Sequence, residues 1–316
     1  MFGFIKSRIR RANDRKLSKR LFIESIQESL VPKVHYFARW DDYNVGDRSV
    51  SPYLYLDQFL DHPVVARTIA IKQDFRCIRW ELIGKNDYAV IGGGGCLNLS
   101  DGCNESIRKI SSAVKATYIA GAGFNRHYGK KTLGNPFYFN DDGEFCPPVR
   151  GLKLVGCRDK YAPNYVPCFS CLSKYFDNKF NEKRKVGAVW HKSFIPKAGN
   201  DVGIPYILND ISSMEEMVRF IGESESLLVT SYHAAYWGLL LNKKVVVISP
   251  FSDKFAGLKE TPAFAKDVDD GLKLLREIKT PDPLFLEDSR KHCRKFFNIV
   301  LDDIESTITF GSSPIC

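Results

Sequence analysis

No run of about 18 consecutive apolar residues occurs in the chain, so no transmembrane helix is expected. A secretory signal is also missing, because Arg and Lys interrupt every apolar stretch of the N-terminal segment. There is no repeat of fixed period and no low-complexity tract. The only CxxC spacing, Cys168-Phe169-Ser170-Cys171, has no second pair with which to build a zinc ribbon. Without an export signal the protein is expected in the cytoplasm, with its nine cysteines as reduced thiols. The odd count and irregular spacing also argue against a disulfide framework. In that compartment the sequons at Asn98 and Asn104 carry no meaning.

What is present reads as a globular chain. The 316 residues are 44% hydrophobic and 26% charged, and their number predicts two domains. The net charge of +9 suggests a polyanionic partner until it is located along the chain. Lys6, Arg8, Arg10, Arg11, Arg15, Lys16, Lys19 and Arg20 face only Asp14 within residues 1–20, a local +7. The body therefore carries only +2.

Short apolar runs recur, each followed by Gly, Ser, Thr or charged residues. They fall at residues 34–38, 88–91, 116–120 and 152–157, then at 186–190, 226–229 and 244–248. Continuous apolar runs alternating with helix-like text predict buried parallel strands in βαβ units. The polar stretch 174–185 is the expected linker, and a terminal helix is expected over about 286–305. The predicted class is α/β, two Rossmann-like domains facing a cleft. The boundaries are a basic arm 1–20, an N-terminal domain 21–180 on the acceptor side, and a C-terminal domain 181–316 on the donor side. Ligands in such folds sit beyond the carboxyl ends of the strands.

The unusual residues fall at those ends. Gly92–Gly95 follows a strand and suits either an anion nest or a tight turn. It fits neither dinucleotide nor Walker spacing: Leu97 or Asn98 stands where the third glycine would, and no Gly-Lys-Ser/Thr follows. In Asn44-Val45-Gly46-Asp47, Asp47 either caps a helix over residues 49–60 or presents a carboxylate to a sugar hydroxyl. Thr230 or Ser231 is expected to cap a helix with His233 in its first turn, where amides and dipole attract anions. The bland alternative packs His233 against Trp237. Lys254, His191 with Lys192, and Arg158 with Asp159 are cationic groups just past strand ends. For Arg158 the alternatives are phosphate binding and a surface ion pair with Asp159. Cys168 and Cys171 are expected as buried thiols under a loop, and His292-Cys293 is given no role.

In combination these segments resemble the polysaccharide pyruvyl transferase family over roughly residues 33–265. The resemblance rests on Asn44-x-Gly46-Asp47, Gly92–Gly95, Gly121-Ala122-Gly123, Arg158-Asp159, the Cys-x-Ser-Cys segment, Ser231-x-His233 and Lys254. Phe169 stands where that family usually has Pro, and Tyr232 where it often has Arg. The resemblance implies a GT-B-like fold. It also implies transfer of a pyruvyl group from phosphoenolpyruvate, as co-substrate, to a sugar of a cell-surface polysaccharide or its lipid-linked precursor. Under it, His233 and Asp47 are the candidate catalytic groups. Arg158, Lys254, Ser231 and His191 would hold the donor, and Asn44, Gly46, Gly93, Gly94 and Gly95 would shape the loops. No metal and no separate cofactor is expected. Phe2, Phe4, Ile5 and Ile9 interleave with the arm's cations, which suits a peripheral contact with an anionic membrane. The alternatives are a GT-B glycosyltransferase using a nucleotide sugar and a nucleic-acid-binding protein. The near-neutral body speaks against the latter.

Overall fold

The computed structural model describes residues 31–40, 43–97, 102–125, 152–196 and 203–310. The basic arm lies outside them.

The first half contributes strands β1 (Lys33–Ala38), β2 (Ile69–Asp74), β3 (Tyr88–Gly92), β4 (Ala116–Ala122) and β5 (Leu152–Cys157). They form one parallel sheet in the order β2-β1-β3-β4-β5. The second half contributes β6 (Arg184–Trp190), β7 (Tyr206–Leu208), β8 (Ser224–Val229), β9 (Lys244–Ile248) and β10 (Ala263–Ala265), parallel in the order β10-β9-β8-β6-β7. Two five-stranded parallel sheets with flanking helices make an α/β, Rossmann-like arrangement in two halves. β1 and β3 are buried along their whole length, as strands covered on both faces must be.

Seven of these strands coincide with the apolar runs of the sequence. β2, β7 and β10 were not anticipated. β2 is an edge strand that alternates buried and open positions, and the other two have three residues each.

The helices are α1 (Val45–Arg48), α2 (Pro63–Arg67), α3 (Gly102–Ala113), α4 (Met214–Gly222), α5 (Tyr232–Leu240), α6 (Val268–Glu277) and α7 (Phe285–Phe310). The helix expected over residues 49–60 is replaced by a 3₁₀ segment, Pro52–Phe59, capped by the Ser51 hydroxyl and kinked at Tyr55. In the expected linker, Lys174–Asp177 forms a 3₁₀ turn and Arg184 already belongs to β6. α7 returns to the first half. There Phe297 packs edge-on against Phe59 at 4.8 Å and Phe169 at 5.7 Å, and Asp303 accepts from Tyr118 Oη at 2.7 Å. One apolar core runs through both halves, from Tyr36, Tyr88 and Phe169 to Val229, Trp237 and Phe297. Among the described residues no helix is long and apolar enough to cross a membrane.

Candidate functional site

The carboxyl ends of the two sheets meet. Val45 N–H donates to the Asn209 carbonyl beyond β7 at 3.0 Å, and Arg48 Nη2 to the Ile211 carbonyl at 2.6 Å. Lys160 N–H donates to the Gly257 carbonyl at 2.8 Å, and Ser252 Oγ donates to Asn125 Oδ1 at 2.8 Å. Loops after β4, β5 and β9 therefore close on one another, and α1 closes on the loop after β7.

Asn44 begins this region as the cap of α1. Its side-chain oxygen accepts from Gly46 N–H at 3.1 Å, and its amide donates to Asp47 Oδ2 at 3.2 Å. Asp47 thus sits in the first turn of α1, and the segment that follows is capped by Ser51, a correction to the expected Asp47 cap of residues 49–60. Gly46 lies against the His233 ring so closely that a Cβ there would fall 2.1 Å from Nδ1.

His233 is in the first turn of α5, as expected, and is buried. The expected hydroxyl cap is absent. Ser231 is the boundary residue but its side chain caps nothing, and Thr230 Oγ1 accepts instead from His191 N–H at 2.7 Å. The first-turn amides of the helix are therefore not consumed by a Ser231 or Thr230 hydroxyl. His233 Nε2 faces Cys168 Sγ at 3.8 Å, and the ring packs between Tyr232 and Trp237 at 5.4 and 5.6 Å. Burial, reinforced by the nearby Arg158 and Lys254 cations, holds the imidazole pKa well below its ordinary value, so at neutral pH it is uncharged. His233 thus both packs against Trp237 and stands in the first turn of α5.

Arg158 is 3% exposed and lies 3.9 Å over the Tyr232 ring. Its Nε and Nη1 have no hydrogen-bond partner. The adjacent Asp159 is also buried, but its Oδ2 is engaged by Phe124 N–H at 2.8 Å and by the Cys157 thiol at 3.5 Å. The surface-ion-pair alternative is thereby removed, since neither group is on the surface. An unsatisfied buried cation is costly, on the order of several kcal/mol before relaxation. Its two open donors are chemically able to hold an anion.

Lys254 stands beside it. Its Nζ lies 4.4 Å over the Phe251 ring and 5.3 Å over Phe255. Desolvation and then the Arg158 charge push its pKa down to about 7, against the opposing pull of Asp47 and Asp253. Asp47, Lys254, Arg158 and His233 thus form one electrostatic cluster drawn from α1, α5 and the loops after β5 and β9.

The glycine run forms the wall next to it. Gly93 is pressed on Val50, whereas Gly94 adopts φ +77° with open space where a Cβ would be. Gly94 carbonyl accepts from Gly123 N–H at 3.0 Å, and Gly123 abuts Arg158 and Asp159. Gly95 packs against Asn125. His191 is further out. Its Nδ1 accepts from Ser193 N–H at 3.1 Å, and its ring lies 6.0 Å from Phe251, so it borders the cluster through that aromatic.

Comparison with protein-family models and with curated proteins gives no match. Among solved structures the chain is similar to a functionally uncharacterised protein of Klebsiella pneumoniae. The identity is 18% and the TM-score 0.43, over 74% of this chain and 88% of that one.

Residues missing from the sequence-based site are Cys168, Tyr232, Asn125 and Ser252, all brought in by tertiary packing. Cys168 and Cys171 are buried thiols, as expected, and Cys171 Sγ lies 3.6 Å from Cys293 Sγ on α7. A groove of about 530 Å³ lies elsewhere, lined by His62, Arg294, Asp302 and Glu305 among others, and contains none of the cluster residues. The ligand atoms of His62, Asp302 and Glu305 lie within 4.8 Å of one another. His62 Nδ1 accepts from Val64 N–H at 3.3 Å, however, so Nε2 carries the ring proton and gives it to Asp302 at 3.1 Å. That tautomer opposes metal ligation.

Proposed function

We propose that the protein is a ketal pyruvyltransferase with a GT-B-like fold, moving a pyruvyl group from phosphoenolpyruvate to two hydroxyls of a sugar. The observation that carries this reading is the buried Arg158 with two unpartnered donors, set beside Lys254 and the first turn of α5. Phosphoenolpyruvate brings a phosphate and a carboxylate, and such a ligand satisfies orphan donors and a helix N-terminus together. The order of motifs that resembles the polysaccharide pyruvyl transferase family supports the same reading.

The chemistry then assigns roles. Carbon 3 of the donor gains a proton as carbon 2 becomes cationic, two sugar oxygens bond to carbon 2, and the carbon–oxygen bond to phosphate breaks. One hydroxyl proton balances the new methyl group and the other leaves with phosphate. Neutral His233 suits the role of N–H donor to the phosphate better than that of resident acid, because its protonated form is scarce. Lys254, near its midpoint at neutral pH, is able both to bind the phosphate and to exchange a proton. Asp47 is the acceptor-side carboxylate, with Asn44 fixing its direction.

The arm of residues 1–20 fits a peripheral location at the inner face of the membrane, next to lipid-linked acceptors. At about 1 kcal/mol per basic residue near an anionic surface, its +7 suffices for reversible attachment.

The test is incubation with phosphoenolpyruvate and a sugar panel, following phosphate release and a product heavier by one pyruvate less water. Sugar transfer from a nucleotide donor, with no dependence on phosphoenolpyruvate, overturns the proposal.

A further inference from the structure

Beyond the cluster the mouth of the site carries an aromatic ledge. Phe194, on the turn after β6, and Phe251, on the loop after β9, stack with centroids 4.1 Å apart and planes within 5°. Two segments far apart in sequence thus meet face to face, and Phe194 is the outer ring of the stack. Phe194 is 42% exposed, an unusual position for a ring held in such a defined stack. The ledge is flanked by polar groups. The His191 ring lies 5.5 Å from Phe194, and Lys192 Nζ lies 5.1 Å from the ring of Tyr43, which comes from the other half. Lys254 Nζ lies over the other face of Phe251, so the stack stands between the open face of Phe194 and the cationic cluster.

We propose that the Phe194–Phe251 ledge is the docking surface for the acceptor carbohydrate, one pyranose ring lying on Phe194. A pyranose presents an apolar face of C–H groups and a rim of hydroxyls. An open aromatic face edged by the His191 imidazole matches both parts at once. The stack stands between this sugar and Lys254, so the sugar on Phe194 is a neighbouring unit of the acceptor chain and not the unit that reacts. Naming this the acceptor subsite rests on the pyruvyl-transfer reading, whereas the carbohydrate contact itself does not.

The experiment is saturation-transfer NMR on the full chain with methyl β-D-glucopyranoside, methyl β-D-galactopyranoside and methyl α-D-mannopyranoside. Transfer to the C–H protons of one sugar face is expected, lost in Phe194→Ala and kept in Phe194→Trp. Phe194 is exposed, so its truncation leaves the core intact, and a cooperative thermal unfolding transition serves as the folding control.

Transfer to none of the three sugars, or transfer unchanged in Phe194→Ala, overturns the ledge. Uridine monophosphate displacing the sugar from Phe194 also overturns it, in favour of a nucleobase platform. If phosphoenolpyruvate neither binds nor reacts while the Phe194-dependent sugar contact persists, pyruvyl transfer falls and the ledge stands.

Discussion

Gly46 of α1 and His233 of α5 are in such close contact that the imidazole Nδ1 occupies the place of a side chain at position 46. This contact joins the two halves of the molecule at the point where the carboxyl ends of their sheets meet. It also sets the ring with its Nε2 toward Cys168. The histidine is therefore held from both edges, and its depressed pKa follows from that enclosure together with two neighbouring cations.

Gly46→Ala is expected to destabilise the protein by about 1–3 kcal/mol, because the ring is wedged between Tyr232 and Trp237 and cannot retreat. Removing the ring makes room. His233→Ala combined with Gly46→Ala should therefore cost less than the sum of the single changes. Urea unfolding of the four proteins measures this. Additive costs mean that the two residues do not share the space.

Arg158→Met is expected to change the stability of the ligand-free protein by less than about 3 kcal/mol, because relief of two unsatisfied donors offsets the loss of the cation beside the buried Asp159 carboxylate. The same change removes the response to phosphoenolpyruvate. The native protein should gain about 2.7 kcal/mol at a donor concentration one hundred times Kd, and the variant nothing. Thermal unfolding with and without donor checks both statements. A large loss of stability in the ligand-free variant shows that Arg158 serves the fold.

Much of this arrangement was legible before any coordinates. Strands such as β1 and β5 are continuous apolar runs, so their ends could be placed, and with them Arg158, His233 and Lys254. β2 escaped because Ile-Ala-Ile-Lys-Gln-Asp alternates and lies at an edge. The 3₁₀ segment from Pro52 escaped because the residues after Ser51 carry a helical pattern too short and kinked to propagate. The decisive property of Arg158, burial without a partner, has no local signal. It depends on Phe124 and Cys157 occupying the Asp159 carboxylate. The Gly46–His233 contact likewise arises only when the two halves close.

A buried network away from the site tests the fold itself. Asp87 accepts from Gly84 N–H at 2.7 Å, pairs with His35 Nε2 at 3.1 Å and faces Lys33 Nζ at 3.7 Å. Desolvation pushes its pKa up, but the His35 and Gly84 hydrogen bonds and the His35 and Lys33 charges together bring it below the ordinary carboxylate value. A lowered folded pKa stabilises above the unfolded value, about 3.9, and that stability is lost as pH falls through the folded one. Asp87→Asn should cost about 1–3 kcal/mol at pH 7 and flatten stability below pH 4. Guanidinium unfolding at several pH values measures it, with donor stabilisation unaffected. An unchanged acid limb excludes Asp87 as its source.

Lys254 makes the site responsive to pH near neutrality. Its pKa falls from 10.5 to about 7 through desolvation and the Arg158 charge. In the ligand-free protein the unfolded chain thus binds more protons between pH 7 and 10.5, and the Lys254 contribution makes stability rise with pH across that window. Donor binding runs the other way. An anion stabilises the ammonium, so phosphoenolpyruvate should bind with proton uptake above pH 7, its affinity falling by up to about tenfold per pH unit. Lys254→Arg, charged throughout, should bind the donor with affinity flat from pH 7 to 9, and Lys254→Met weakly at every pH. Calorimetry in buffers of different ionisation enthalpy reads both the affinity and the proton count. Affinity independent of pH in the native protein, with no proton taken up, removes Lys254 from the donor site and leaves Arg158 as its cation.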